Sequence, residues 1–195
     1  EIAQCLVGSE MCIRDRRRGD SAQIHKLLHS GSVRLGFVGA MLEPDSMTYF
    51  PMLEDHLVMC TANNPHYQAL KKQNVYGRDL LREPTVAREE GSGTDRTVQS
   101  YMRNMGLADQ DLHIVARVDD PEAIKRMTAQ GVGVSVLSAL SVASEVDDGR
   151  LLTFPMDPQG LHRSIYLVYP RETILSQSEQ AFVRFCRQMA IRRNL

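Results

Sequence analysis

The chain has 195 residues, 43% of them apolar and 24% charged, so it can bury a core as one large domain or as two small lobes. A net charge of −1 excludes a general electrostatic attraction to nucleic acid or to an anionic membrane. No apolar run approaches the roughly 18–20 residues that a bilayer span needs, and no stretch has the pattern of a secretory signal. The four cysteines (Cys5, Cys12, Cys60 and Cys186) have neither metal-ligand nor disulfide-framework spacing. A reducing cytoplasm is therefore the expected location, with no metal and no cofactor expected.

The stretch Leu6-Val7-Gly8-Ser9-Glu10-Met11-Cys12-Ile13-Arg14-Asp15-Arg16 has no apolar periodicity. It resembles, residue for residue, the translation of a transposon-based sequencing adapter. Residues 1–16 are accordingly expected to be an assembly artefact, with native sequence starting near Arg17, in the middle of a gene.

From Ser21 the spacing of Ile24, Leu27 and Leu28 predicts a helix that Gly31 stops. Val33-Arg34-Leu35-Gly36-Phe37-Val38 reads as a strand with Val33, Leu35 and Phe37 on the buried face, ending at Gly39-Ala40. Phe50-Pro51-Met52-Leu53 and residues 55–61 read as separate extended segments. Asn63-Asn64-Pro65 reads as a turn, and residues 76–81 as a short helix.

A short apolar run, Thr85-Val86-Ala87, then leads into Arg88-Glu89-Glu90-Gly91-Ser92-Gly93-Thr94-Asp95. Two glycines permit a tight turn, Thr94 is the expected N-cap, and an amphipathic helix follows. The free N–H groups at such a helix start, beside the positive end of its dipole, make a small pocket for an anion or a polar head group. The plainer account is a capped turn that binds only water.

Val98, Tyr101, Met102 and Met105 form the apolar stripe of that helix, and Gly106 closes it. A strand is expected over residues 113–118. Asp120 then caps a helix with Pro121 at its first position and Ile124, Met127 and Thr128 inward. Further strands are expected over 134–137, 151–154 and 164–169, with a short helix near 139–146. A capping box, Ser176-Gln177-Ser178-Glu179, opens the last helix, whose apolar face is read as Phe182, Phe185, Cys186 and Met189. Strands alternating with helices through short links predict an α/β fold with mostly parallel strands.

An internal offset of 100 residues lays one unit on another without a gap. Asp20 falls on Asp120, Ile24 on Ile124, Leu27 on Met127, Gly31 on Gly131 and Phe37 on Leu137. The offset predicts two similar lobes. It also leaves the strand, glycine turn and helix before the second unit without a counterpart, which is expected upstream of Arg17.

Taken together, several short motifs resemble the effector-binding domain of LysR-type transcriptional regulators. They are Gly19-Asp20-Ser21, Leu35-Gly36-Phe37-Val38-Gly39-Ala40, Leu53-Glu54-Asp55-His56-Leu57-Val58, Asn64-Pro65-His66, the turn from Arg88 to Thr94, Glu122-Ala123-Ile124-Lys125, Gly131-Val132-Gly133-Val134-Ser135 and Tyr166-Leu167-Val168-Tyr169. The pair Gly-Phe-Val-Gly-Ala and Arg-Glu-Glu-Gly-Ser-Gly-Thr looks most like a CysL-like subgroup linked to sulfur and selenium metabolism.

The resemblance implies two lobes of the type 2 periplasmic-binding-protein fold, the first incomplete. Residues 17–62 and 163–195 would form lobe I, and residues 63–162 lobe II. A small-molecule effector would sit in the interlobe cleft against Gly91, Ser92, Gly93, Thr94, Asp119 and Asp120, with Gly39 and Ala40 across from them. Asp119-Asp120 departs from the subgroup, which commonly has a small or hydroxyl residue there. An Asp119 facing the cleft would favour a ligand with an amino group, whereas the plainer account has Asp120 capping its helix and Asp119 in solvent. DNA would be contacted only through a helix-turn-helix domain outside this chain, and the intact protein would be a homo-oligomer without membrane contact. By the same analogy, the helix over 95–105 and strand over 113–118 would pair with the first helix and following strand of another copy.

Other residues invite chemistry less well. His25 and His29 have the spacing of two metal ligands on one helix face, but a solvated face is the better account. Cys60 and Cys186 read as core thiols. Ser92 in its glycine turn has no identifiable base, so no enzyme is expected. The alternatives carried forward are a solute-binding protein of a transporter and, behind it, an enzyme, both on the same fold.

Overall fold

The computed structural model describes residue 17 and residues 19–193, so the adapter-like stretch lies outside the described residues. In chain order the elements are α1 (Ser21–His29), β1 (Gly36–Val38), β2 (Met47–Ala62), α2 (Pro65–Lys72), β3 (Thr85–Arg88), α3 (Gly93–Asn104), β4 (Ile114–Val118), α4 (Pro121–Ala129), β5 (Ser135–Ser138), α5 (Ala139–Asp147), β6 (Leu151–Pro155), β7 (Leu161–Pro170) and α6 (Gln177–Arg193).

Two strands hold the molecule together. β2 and β7 run antiparallel from Met47↔Pro170 to Leu57↔Leu161, with one bulge between Pro51 and Leu53. The two extended segments expected around residue 54 are thus one strand of 16 residues. Pro51, which cannot donate to a ladder, is tolerated because it borders the bulge. β1 adds to β7, while β5 and β6 add to the far half of β2. All four of these ladders are antiparallel; among the described residues only β3 and β4 form a parallel ladder, joined to the residue before β5 through a parallel bridge between Thr85 and Val134. The expectation of mostly parallel strands is therefore corrected to a mixed arrangement. Strand–helix alternation predicts parallel neighbours only where the crossover returns to the same edge, as in β3–α3–β4. The strands laid on β2 and β7 run against them.

Apolar side chains gather on both faces at each end of the β2–β7 ladder. At one end, Ile24, Leu28, Val38, Met47 and Val168 cluster under α1, and Leu167, Val183 and Cys186 cluster under α6. At the other, Leu57, Met59, Leu80, Val136, Phe154 and Met156 form one cluster, and Cys60, Val86, Ile124, Leu137 and Leu151 another. The two ends make two lobes.

The 100-residue offset is visible in the backbone. α1 and α4 begin and end at positions 100 apart, capped by Asp20 and Asp120 and stopped by Gly31 and Gly131 at φ +69° and +78°. Ile24 and Ile124 are both buried. The next position diverges. His25 is turned into the protein, its ring nitrogens bonded to the Ser21 carbonyl and the Tyr49 hydroxyl, while His29 meets Glu43. The solvated face expected for this pair holds for His29 and not for His25.

At the equivalent of His25, the Lys125 ammonium reaches Glu122 at 2.8 Å, Glu145 at 3.0 Å and the Ser141 carbonyl at 3.1 Å. Burial pushes the Glu145 carboxyl up, but hydrogen bonds, chiefly from Lys125, outweigh this and hold it below its ordinary 4.5. A carboxyl lowered on folding contributes stability above its unfolded value and loses it as pH falls through the folded value. The urea midpoint is expected to drop below about pH 4, and to drop less in Glu145→Gln. Equal acid sensitivity in the two proteins would count against this.

Three further expectations are corrected. β1 buries Gly36 and Val38, leaving Phe37 49% exposed. α6 buries Val183, Cys186 and Ala190, leaving Phe182, Phe185 and Met189 outward. α2 stands where only a turn was expected: Asn64 caps it, Pro65 opens it, and it turns only Tyr67 and Leu70, both partly buried, toward the core, too short a pattern to mark a helix. Among the described residues no helix is long and apolar enough to cross a membrane.

Candidate functional site

β3 runs directly into the glycine turn. Gly91 has φ +82°, which a side chain would strain. Ser92 is buried and has extended backbone; its Oγ accepts the Asp95 N–H at 3.1 Å, and Asp95 Oδ2 accepts the Gly91 N–H at 3.0 Å. The N-cap is thus Ser92 and not Thr94. With two hydroxyl residues two positions apart, spacing alone leaves the choice open, and the reciprocal bond to Asp95 selects the first. Asp95 is held further by Arg117 and Gln99.

Relieved of capping, the buried Thr94 hydroxyl accepts a hydrogen bond from Arg163 Nη1 at 2.8 Å. Arg163 stands on β7, and its Nε and Nη2 reach Asp55 Oδ2 on β2 at 2.9 and 2.8 Å. The other Asp55 oxygen accepts the Ser138 hydroxyl at 2.6 Å, and Ser138 caps α5. One continuous polar chain therefore joins α3, β7, β2 and α5. The Asp55 side chain is only 3% exposed. Along this chain opens a cavity of about 290 Å³ that also takes in Arg88, Pro121 and Ser141, with Leu53, Leu137, Leu140 and Ile165 as its apolar wall. A second cavity behind α3, about 40 Å³, has room for about one water.

Of the eight residues expected to contact a ligand, Thr94 lines the larger cavity. Gly91, Ser92 and Gly93 build the turn that places it. Gly39 meets Gly93 back to back: a Cβ on Gly93 would lie 3.1 Å from the Gly39 backbone. Ala40 follows, partly buried. Asp120 caps α4 by accepting the Glu122 N–H at 3.1 Å, and both Asp119 and Asp120 are exposed and outside the lining. The plainer account of this pair is the one that matches their placement. Among the described residues there is no cluster of three or more His, Cys, Asp or Glu able to hold a metal ion.

A family profile for the LysR substrate binding domain matches residues 16–190. The chain belongs to this family. Among curated proteins, this LysR substrate-binding domain is 26% identical over 167 residues to the HTH-type transcriptional activator CmpR of Synechocystis, covering 86% of this chain and 53% of the activator. It is 28% identical over 168 residues to the phosphonates import ATP-binding protein PhnC of Anaeromyxobacter dehalogenans, covering 86% of this chain and 33% of that protein. The chain thus spans between a third and just over half of the length of these relatives. Among solved structures, the Synechocystis CcmR regulatory domain in complex with 2-PG matches with a TM-score of 0.74 and 26% identity, over 88% of this chain and 79% of that one. The two lobes joined by β2 and β7 are accordingly the type 2 periplasmic-binding-protein arrangement.

Asp55, Ser138 and Arg163 of the LysR domain were not singled out from sequence, yet a signal for two of them exists. Leu53, Asp55, Leu57 and Met59 share one strand parity, as do Leu161, Arg163, Ile165 and Leu167. Opposite charges on the inward face of two apolar strands ask for each other.

Proposed function

We propose that this chain is the effector-sensing module of a LysR-type transcriptional regulator, which binds a small polar or anionic molecule between its lobes. The observation that carries this reading is the cavity at the crossing strands, where Thr94, Asp55, Arg163 and Ser138 form one hydrogen-bonded chain between both lobes. A ligand that rearranges this chain changes the relation of one lobe to the other. That shifts the population of assembly states without any chemistry, so no catalytic role is assigned. Contact with DNA through a helix-turn-helix domain outside this chain, a homo-oligomer and a cytoplasmic location belong to this proposal. So does the finer placement beside the CysL-like subgroup, which rests on the Gly36–Ala40 and Arg88–Thr94 motifs.

For the lobes we propose a division inside β2 and not at residue 62, because residues 57–62 pair with β5 and β6 and feed the lobe II core. A second reading, the solute-binding component of a transporter, has behind it only a similarity to one third of a protein named as a phosphonates import ATP-binding protein, and the regulator relatives support the sensor over it.

The test is calorimetric screening of a metabolite library on this chain, followed by footprinting of the intact regulator with each ligand found. Thr94→Ala is expected to weaken the bound ligand roughly fivefold, the loss of about 1 kcal/mol for one hydrogen bond. Ser92→Ala is expected instead to act mainly on stability, as loss of a cap. A ligand that alters the footprint supports the sensor. One that binds but leaves the footprint unchanged, and is taken up by cells in a manner dependent on this gene, supports the transport reading.

A further inference from the structure

Resting on that reading of the cleft, we infer that Leu140 is a specificity-determining residue of the sensor, selecting an effector with a compact hydrocarbon body behind its polar head. Leu140 is the second residue of α5, lines the larger cavity and is 65% exposed. It belongs to none of the apolar clusters that form the two cores. A solitary exposed leucine is ordinary, but this one is not solitary. Leu53, the first paired residue after the β2 bulge, faces Ile165 across the ladder, and both stand on the same lining. Pro121 and Leu137 continue the apolar surface from lobe II. A ligand body in the cavity therefore meets hydrocarbon from both lobes.

Leu140 is also fixed in place. Ser138 caps α5 and gives its hydroxyl to Asp55 on β2 at 2.6 Å, which ties the start of the helix to the crossing strands.

The polar side chains of the lining are already engaged. Asp55 holds Ser138 and Arg163, and Arg163 also bonds Thr94. Arg88 bonds both oxygens of Glu89, and the Ser141 hydroxyl donates to the Ser138 carbonyl. A polar group of a ligand exchanges with bonds of this kind, and such an exchange changes the free energy little. Burial of hydrocarbon has no such offset: each methylene taken from water raises affinity about fourfold. Discrimination between ligands that share a head group thus falls to the apolar wall. A volume of about 290 Å³ equals roughly ten waters of about 30 Å³ each, room for about four to seven carbons beside a head group.

The experiment is calorimetry on the 195-residue chain at pH 7.5 with one hydrocarbon body on three heads: 3-methylbutyrate, 3-methylbutyramide and 3-methylbutylamine. Their polar-bodied partners, with equal numbers of heavy atoms, are 2,3-dihydroxypropanoate, 2,3-dihydroxypropanamide and 3-amino-1,2-propanediol. At least one hydrocarbon-bodied compound is expected to bind about tenfold or more tighter than its partner. Leu140→Ala is expected to remove about fivefold of that advantage. The same substitution is expected to leave the urea midpoint unchanged, because the side chain lies outside both cores. Leu140→Met, which keeps the hydrocarbon, is expected to keep the advantage.

Silence from all three hydrocarbon-bodied compounds overturns the inference, as does a dihydroxy compound that binds as tightly as its partner. A lowered urea midpoint in Leu140→Ala makes Leu140 a residue of the fold and overturns it too. A ligand whose affinity falls in Thr94→Ala but not in Leu140→Ala overturns the role of Leu140 and leaves the sensing cleft standing. A ligand indifferent to both substitutions removes both.

Discussion

Replacing Asp55 by alanine is expected to lower the unfolding free energy by about 3 kcal/mol, the cost of leaving a largely buried cation without its partner. Its carboxylate is 3% exposed, and Arg163, at 16%, gives it two hydrogen bonds. An exposed ion pair would cost no more than about 1 kcal/mol, so urea unfolding separates the two cases. The damage is also expected to spread, because Ser138 loses its acceptor at the start of α5 and Arg163 loses the anchor that aims it at Thr94. Pairing Asp55→Ala with Arg163→Leu removes the orphaned charge and is expected to recover much of the stability, but none of the ligand binding. A loss below about 1 kcal/mol in the single variant would sink this account of the crossing strands.

Gly133→Ala is expected to be as severe, by a different route. A Cβ built there lies 2.4 Å from the Pro84 carbonyl oxygen and 2.9 Å from its carbon. Those atoms are backbone and have no rotamer by which to withdraw. The same carbonyl accepts the Val134 N–H at 2.7 Å, and Val86 N–H reaches back to the Val134 carbonyl at 2.8 Å. The added methyl must therefore pry β3 from β5 at the seam that joins the parallel pair to the rest of its lobe. Overpacking of a fixed site costs typically 1–3 kcal/mol, and here about the upper figure is expected. Gly131→Ala is the control: its φ of +78° carries strain, but no atom lies within 4 Å of the added carbon. Equal losses in the two variants, measured by thermal and urea unfolding, would show that backbone strain and not collision governs this loop.

Local chemistry is what made parts of this fold legible. Asp20 and Asp120 announce their helices because a side-chain oxygen three or fewer residues before a free N–H needs no distant partner. Ser176 and Glu179 do the same for α6. Contacts across long separations were not legible. The continuity of β2 depends on a partner strand more than a hundred residues away, and the outward turn of Phe37 depends on β1 meeting β7 in one register. The candidate site divides in the same way. The turn from Glu90 to Thr94 is a local motif and could be read. The groups facing Thr94 come from β2, β7 and α5, brought together only by the sheet. Arg163 and Asp55 could have been paired from strand parity, since a charge on an apolar strand face is costly to bury unless an opposite charge meets it.

The pairing of β2 with β7 has a consequence for the order in which the molecule is made. Everything from β3 to β6 lies between two strands that lie side by side, so that lobe is an uninterrupted stretch of chain. It can reach its own core, around Phe154, Met156 and Ile124, as soon as it has left the ribosome. The other lobe is sewn from both sides of that stretch: Val168 must arrive before Met47 and Leu28 are covered, and Val183 before Phe50 and Met52 are. Closing a long loop costs entropy that grows only slowly with its length, and less when the intervening chain is already compact. Refolding should therefore show early amide protection in residues 57–155 and later protection at Tyr49, Phe50 and Leu167, with the ladder of crossing strands closing last.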